Sequence, residues 1–174
     1  MKISIIGYSG SGKSTLASQL AIIYDIKCLH LDTVRFLPNW VERQSQDERQ
    51  IVFDFLQTNS SWIIDGNYQS LYRQERLEQS DCIIFLNFNR FSCLYRACKR
   101  YNKYKNISRP SITIGCKEKF DKEFFLWIMR DGRTKNRKND YKAIINKYKE
   151  KVVVLTNQRQ LDKYVAKVKS NIVF

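Results

Sequence analysis

The sequence predicts an α/β fold, a parallel five-stranded sheet with helices on both faces. Three observations predict it. Short apolar, β-branched runs alternate with segments of helical spacing along the chain. The first run, Lys2 to Ile6, passes through a glycine-rich loop straight into an amphipathic segment. The 174 residues suffice for one domain with a full core, and 43% hydrophobic with 28% charged residues is a globular balance.

The elements follow in order. Lys2 to Ile6 reads as a buried strand, and Lys13 to Tyr24 carries Leu16, Leu20 and Ile23 at helical spacing. Ile26 to Leu31 is a second strand ending at Asp32. Thr33 to Arg43 contains Pro38 and no period, so it reads as a loop. Ser45 with Glu48 gives a capping-box signature, and Ile51, Phe55 and Leu56 supply the apolar stripe of the helix behind it. Ser61 to Ile64 is a third strand, closed by Asp65-Gly66-Asn67. A short helix covers Tyr68 to Leu77, and Cys82 to Phe88 is a fourth strand. Phe91, Leu94, Tyr95, Cys98 and Tyr101 mark a helix reaching Tyr104. A polar loop, Asn106 to Gly115, leads to helical stretches near 121–130 and 139–148. Val152 to Leu155 is the fifth strand and Gln160 to Val168 the closing helix. No repeat, low-complexity tract or linker interrupts this order, so residues 1–174 read as a single domain.

Composition excludes several classes. No apolar run approaches the ~20 residues that a bilayer demands. The first strand is shorter than a signal peptide and opens onto the glycine loop, so a cytoplasmic protein without a membrane partner is expected. The five cysteines form no C-x-x-C pair and are odd in number, which favours reduced thiols over a disulfide or metal framework. The net charge of +14 is uneven. Residues 89–150 carry 18 basic and 6 acidic side chains, or +12, while residues 1–88 carry 8 and 10, or −2. Such a basic half suits polyanions, either nucleotide phosphates or a nucleic-acid backbone, and an ordinary solvated surface accounts for it too.

Gly7-Tyr8-Ser9-Gly10-Ser11-Gly12-Lys13-Ser14 fits the pattern G-x-x-x-x-G-K-[ST] in full. Glycines let the backbone curl until successive N–H groups face phosphate oxygens, and the helix beginning near Lys13 adds its positive end. Gly7, Ser9, Gly10, Ser11, Gly12, Lys13, Ser14 and Thr15 are therefore expected to hold ATP. Lys13 would reach the β- and γ-phosphates, and the Ser14 hydroxyl would be a ligand of Mg²⁺.

Such a loop needs a carboxylate near the metal. Asp65 ends the apolar run Trp62-Ile63-Ile64 at the carboxyl edge of the sheet, where open α/β folds bind ligands, and is assigned to Mg²⁺ beside Ser14. An Asp-Gly pair is also an ordinary turn. Asp32 ends the second strand likewise. It is a candidate to orient or deprotonate an acceptor or to support the metal, and a helix cap is the plainer reading. His30, the single histidine, reads as a structural residue. Among the cations, Arg96 and Arg100 lie one helical turn apart, and Arg130, Arg133 and Arg137 flank Asp131-Gly132. A basic segment with a glycine hinge suits a lid over ATP, with Arg100, Arg133 and Arg137 as catalytic candidates; exposed solvated charges are the alternative. Trp40 and Arg43 are candidates for the acceptor's base and phosphate, with packing the competing role for Trp40.

Gly7–Thr15, His30-Leu31-Asp32, Trp40-Val41-Glu42-Arg43, Trp62-Ile63-Ile64-Asp65-Gly66-Asn67-Tyr68 and Arg109-Pro110 together resemble the bacterial DNA topology modulation protein family. That family is similar to the adenylate kinases and other small P-loop nucleoside and nucleotide kinases. The resemblance spans nearly the whole chain. It implies a three-layer P-loop NTPase fold with strand order 2-3-1-4-5, an acceptor-side insertion at 33–60 and a basic helical lid over 100–138. It also implies adenine preference, and roles for Arg100 toward the nucleotide and for Arg133 and Arg137 on the returning lid. Asn67-Tyr68 stands where adenylate kinases have proline and arginine, and the usual monophosphate site is not evident between 33 and 60, which puts AMP as acceptor in doubt.

The leading expectation is thus a Mg·ATP-dependent phosphotransferase acting on a small acceptor: a nucleoside, a nucleotide or a related metabolite. The alternative is an ATP-binding regulator that grips DNA or RNA through its basic half. No helix-turn-helix, zinc finger or RNA-binding aromatic motif supports the latter. A GTPase is disfavoured because no N-K-x-D motif occurs.

Overall fold

Strand β1 (Lys2–Gly7) runs through the middle of the sheet in this computed structural model, which describes residues 1–105, 107–109 and 111–171. Ile3, Ile5 and Ile6 are all buried, because β1 is covered on both faces and so needs no polar alternation. The chain continues through α1 (Lys13–Tyr24), β2 (Lys27–His30), α2 (Leu31–Arg35), β3 (Phe36–Leu37), β4 (Val41–Glu42), α3 (Ser45–Thr58) and β5 (Trp62–Asp65). Then follow α4 (Arg73–Gln79), β6 (Cys82–Leu86), α5 (Arg90–Tyr104), α6 (Lys122–Met129), α7 (Lys135–Lys147), β7 (Val152–Leu155) and α8 (Gln158–Ser170).

The sheet order is β2-β5-β1-β6-β7, with every pairing parallel. Counting only these five strands, this is the predicted 2-3-1-4-5, flanked by helices. The chain leaves β1 for one side of the sheet and later crosses to the other, so a crevice opens at the carboxyl end of β1. The register sets His30 beside Asp65, and Asp65 beside Ile5, which brings three strand ends to that crevice.

Three local expectations are corrected. Residues 33–43 are not an irregular loop. Leu31 and Val34 bury one face of the short helix α2, and β3 pairs antiparallel with β4 through a turn in which Asn39 and Trp40 both have positive φ. Ser45 does not cap α3, which begins there behind Gln44. The Glu48 side chain pairs instead with Arg35 at 3.1 Å, and it is buried among the core residues of α3. The helix expected from Tyr68 starts only at Arg73, because Tyr72 adopts a left-handed conformation (φ 52). Asn106 and Pro110 of the expected polar loop lie outside the described residues.

Among the described residues all five cysteines are free thiols, and no helix is long and apolar enough to cross a membrane.

Candidate active site

Between β1 and α1 the chain turns through Gly10 (φ 78) and Gly12 (φ 98), conformations that side chains rarely adopt. A Cβ on Gly10 would stand 2.4 Å from the Cys93 carbonyl oxygen, so α5 presses against the loop too closely for any side chain. Gly12 precedes α1 and supplies no side-chain cap, which leaves the first-turn N–H groups open to an anion. The buried Ser11 hydroxyl has no partner among the described residues. These features fit a bound polyphosphate. Lys13 folds back so that its ammonium donates to the Tyr8 carbonyl at 3.1 Å. Burial lowers its pKa, and the carboxylates of Asp32 and Asp65 pull it back up.

Ser14 Oγ donates to Asp65 Oδ2 at 2.8 Å. A hydroxyl and a carboxylate are the oxygen donors that a hard divalent cation prefers, so this pair fits Mg²⁺. The other carboxylate oxygen, Oδ1, is hydrogen-bonded by His30 Nδ1. Burial alone would lower the His30 pKa, but its bonds to Asp65 and Cys28 prevail and raise it to about 10. Nε2 of the same ring faces Ser18 Oγ at 3.3 Å and Cys28 Sγ at 3.8 Å. The imidazole thus turns one nitrogen to each side. Cys28, His30 and Asp65 are linked by hydrogen bonds, and their ligand atoms lie within 4.8 Å of one another, close enough to hold a metal ion.

The residues after β5 each take a separate task. Gly66 (φ 134) passes so close to Leu31 that a Cβ would lie 2.8 Å from its side chain. The Asn67 amide donates to the Gly7 carbonyl at 2.6 Å, and its oxygen accepts from the Gly7 N–H at 3.1 Å. This pair of hydrogen bonds to the backbone of Gly7 pins the start of the loop to the end of β5. The Tyr68 hydroxyl donates to Asp32 Oδ1 at 2.9 Å. The second oxygen of Asp32 lies 3.6 Å from the Arg109 guanidinium. Arg109 and Arg100 both engage the buried Glu118, at 2.8 and 3.0 Å. Burial lowers the Arg100 pKa, and the neighbouring Arg109 lowers it further against the pull of Glu118.

The remaining candidates lie around this centre. Arg133 donates to the Ile128 and Phe88 carbonyls, both at 3.0 Å, and covers the Tyr8 ring at 3.8 Å. Its guanidinium therefore braces the loop through Tyr8. Arg137 covers the ring of Trp127, whose indole donates to Ser9 Oγ at 3.0 Å. Arg43 is bonded to the Val34 carbonyl, and the Trp40 indole to the Lys117 carbonyl. Arg96 reaches the Ser11 carbonyl at 3.2 Å and Gln158 at 2.7 Å, beside a cleft of about 280 Å³ lined by Gly12, Thr15, Leu161 and Val165. Tyr68, Arg109 and Glu118 did not emerge from sequence reasoning as site candidates. Glu118 carried one usable signal, as the single acid between residues 82 and 120 amid nine cations.

No family model and no curated protein matches the chain. Among solved structures it is similar to a shikimate kinase from Acinetobacter baumannii in complex with shikimate, with a TM-score of 0.56 and 16% identity over 99% of this chain and 92% of that one. It is similar to a deoxyadenosine kinase from M. mycoides with the products dCMP and dCDP bound, with a TM-score of 0.53 and 15% identity over 98% and 100% of the two chains. An uncharacterized protein from Eubacterium ventriosum aligns at a TM-score of 0.50 and 18% identity, over 99% and 98%. These likenesses extend over 92% or more of every chain compared. The chain shares with these proteins an α/β fold with a five-stranded parallel sheet flanked by helices.

Proposed function

We propose that this protein is a phosphotransferase that moves the γ-phosphoryl group of ATP to a small acceptor. The observation that carries the reading is the Ser14–Asp65 bond at the mouth of an uncapped helix, with Lys13 under the influence of both Asp65 and Asp32. A polyphosphate cradle, an oxygen pair for a cation and a partly open carboxylate then converge on one crevice.

In this reading the loop from Gly7 to Thr15 binds the phosphates. Ser14 and Asp65 hold Mg²⁺, which when bound neutralises phosphate charge. Lys13 steadies the transferring group, and Arg96 with Gln158 borders the base in the adjoining cleft. Residues 33–60 serve the acceptor, with Asp32 beside them. Residues 100–138 form the basic cover, in which Arg100 faces the crevice and Arg133 and Arg137 act through Tyr8 and Trp127. Catalysis of this kind rests on positioning and on electrostatics more than on covalent chemistry. The kinases among the structural neighbours support the reaction class.

The test is ADP release from Mg·ATP in the presence of nucleosides, nucleotides, hydroxylated metabolites and DNA, with Lys13→Ala as control. Stimulation by a small acceptor that disappears in the variant is the expected result. Stimulation by DNA alone, falling steeply with salt, would transfer the assignment to a nucleic-acid-dependent ATPase.

A further inference from the structure

On the acceptor side of the crevice Arg35, Arg100 and Arg109 are each paired with a carboxylate. Arg35 is paired with Glu42 at 2.6 Å and Glu48 at 3.1 Å. Arg100 and Arg109 share Glu118, and Arg109 also approaches Asp32. Arg43 is bonded to a backbone carbonyl, and the Lys119 ammonium is turned toward the Trp40 ring at 5.7 Å. Around Asp32 the cations Arg100 and Arg109 are balanced by Asp32 and Glu118. Each of the two guanidinium charges already has a carboxylate partner, although the Arg109 Nε–Glu118 Oε1 contact is an ion pair without hydrogen-bond geometry.

Rearrangement does not readily release one. The Glu118 side chain is only 2% exposed, and handing its arginines to an incoming phosphate would leave a buried carboxylate without a counterion. Asp32 differs. Its side chain is 39% exposed, and the Tyr68 hydroxyl and Arg109 hold it in place. A carboxylate presented in this way accepts a hydrogen bond from a neutral hydroxyl and repels an anion.

We infer that the acceptor is an uncharged polyhydroxylated molecule of the nucleoside or sugar type, not a nucleoside monophosphate and not a hydroxy acid. The inference rests on the phosphotransferase reading and narrows it. In the transfer the acceptor hydroxyl oxygen forms the new bond to the γ-phosphorus. The bond from that phosphorus to the β–γ bridging oxygen breaks, the hydroxyl proton passes to Asp32, and ADP leaves.

The experiment compares matched acceptors with purified protein and Mg·ATP, detecting the phosphorylated product by mass spectrometry. The neutral arm holds adenosine, deoxycytidine, thymidine, ribose and xylitol. The charged arm holds AMP, dCMP, dTMP, shikimate and gluconate. A neutral acceptor is expected to exceed its charged counterpart by roughly 100-fold in kcat/KM, an effect within the cost of bringing like charges together. Preference for any charged acceptor overturns the inference and leaves the phosphotransferase standing. Absence of transfer to every acceptor, with Mg·ATP still bound in a Lys13-dependent way, removes both.

A second measurement uses Glu118→Gln, which frees Arg100 and Arg109. The monophosphate is expected to gain on the nucleoside by roughly tenfold, mainly through KM. An unchanged ratio in a folded variant overturns the inference. If the variant does not fold, the wild-type ratio decides.

Discussion

Ser14 and Asp65, 51 residues apart in sequence, are joined by a 2.8 Å hydrogen bond at the carboxyl edge of the sheet. A cation at this point would replace that bond with two oxygen ligands already brought together. Asp65→Asn removes the negative charge while retaining most of the shape. The expected outcome is a rise in the Mg²⁺ concentration for half-maximal ADP release of tenfold or more, on the order seen for disturbed metal shells. Titration of activity with Mg²⁺ at saturating ATP measures it. An unaltered Mg²⁺ requirement would remove Asp65 from the metal site.

His30→Ala is expected to act on the same quantity through Asp65. It removes the partner of Asp65 Oδ1, so the carboxylate loses one of its two anchors. The Mg²⁺ requirement should rise by roughly tenfold, while ATP affinity measured without metal changes little. Equal weakening of both would mean that His30 supports the loop as a whole.

Asn67→Ala removes both hydrogen bonds to the Gly7 backbone. At about 1 kcal/mol for each bond, a loss of roughly 1–3 kcal/mol in unfolding free energy is expected, with weaker ATP binding. Urea denaturation and nucleotide titration read the two effects. Asn67→Asp keeps one acceptor and should fall between the variant and wild type.

Gly10→Ala places a methyl group 2.4 Å from the Cys93 carbonyl oxygen in a backbone with φ 78. Neither the loop nor the first turn of α5 can yield easily, since the contact is to backbone. A destabilisation of roughly 2 kcal/mol or more is expected, together with loss of ATP binding. A folded variant with wild-type nucleotide affinity would show that α5 and the loop are not rigidly seated on each other.

The Trp127 indole is hydrogen-bonded to Ser9, so loading the loop with Mg·ATP should change tryptophan emission. In Trp127→Phe most of that change should vanish, although Trp40 and Trp62 remain. If the signal survives, it originates elsewhere.

What the sequence revealed depended on distance along the chain. The turn from Gly7 to Ser14 between β1 and α1 was legible because its whole pattern lies in eight consecutive residues. Asp65 was legible because an acid ending an apolar strand points to a sheet edge. The pairings that complete the crevice span 36 residues from Tyr68 to Asp32 and 18 from Arg100 to Glu118, and no local pattern records them. Arg96 and Arg100 were correctly placed on one helix, yet one reaches the loop and Gln158 while the other turns to Glu118. Spacing fixes the stem of a long side chain and not the end of its reach. The helix α2 escaped notice because five residues are too few for a period, and burial of Leu31 and Val34 sustains it.

The hairpin of β3 and β4 and the segment from Thr113 to Lys117 are stitched together. Thr113 Oγ1 donates to the Phe36 carbonyl, and Cys116 Sγ to the Leu37 carbonyl at 3.2 Å. The Trp40 indole donates to the Lys117 carbonyl at 2.8 Å. These bonds span 77 to 79 residues of sequence, so they are long-range ties between separate parts of the chain. The hairpin that follows α2 and the segment that follows Arg109 are therefore mechanically coupled, and a displacement of one would be passed to the other through these three bonds.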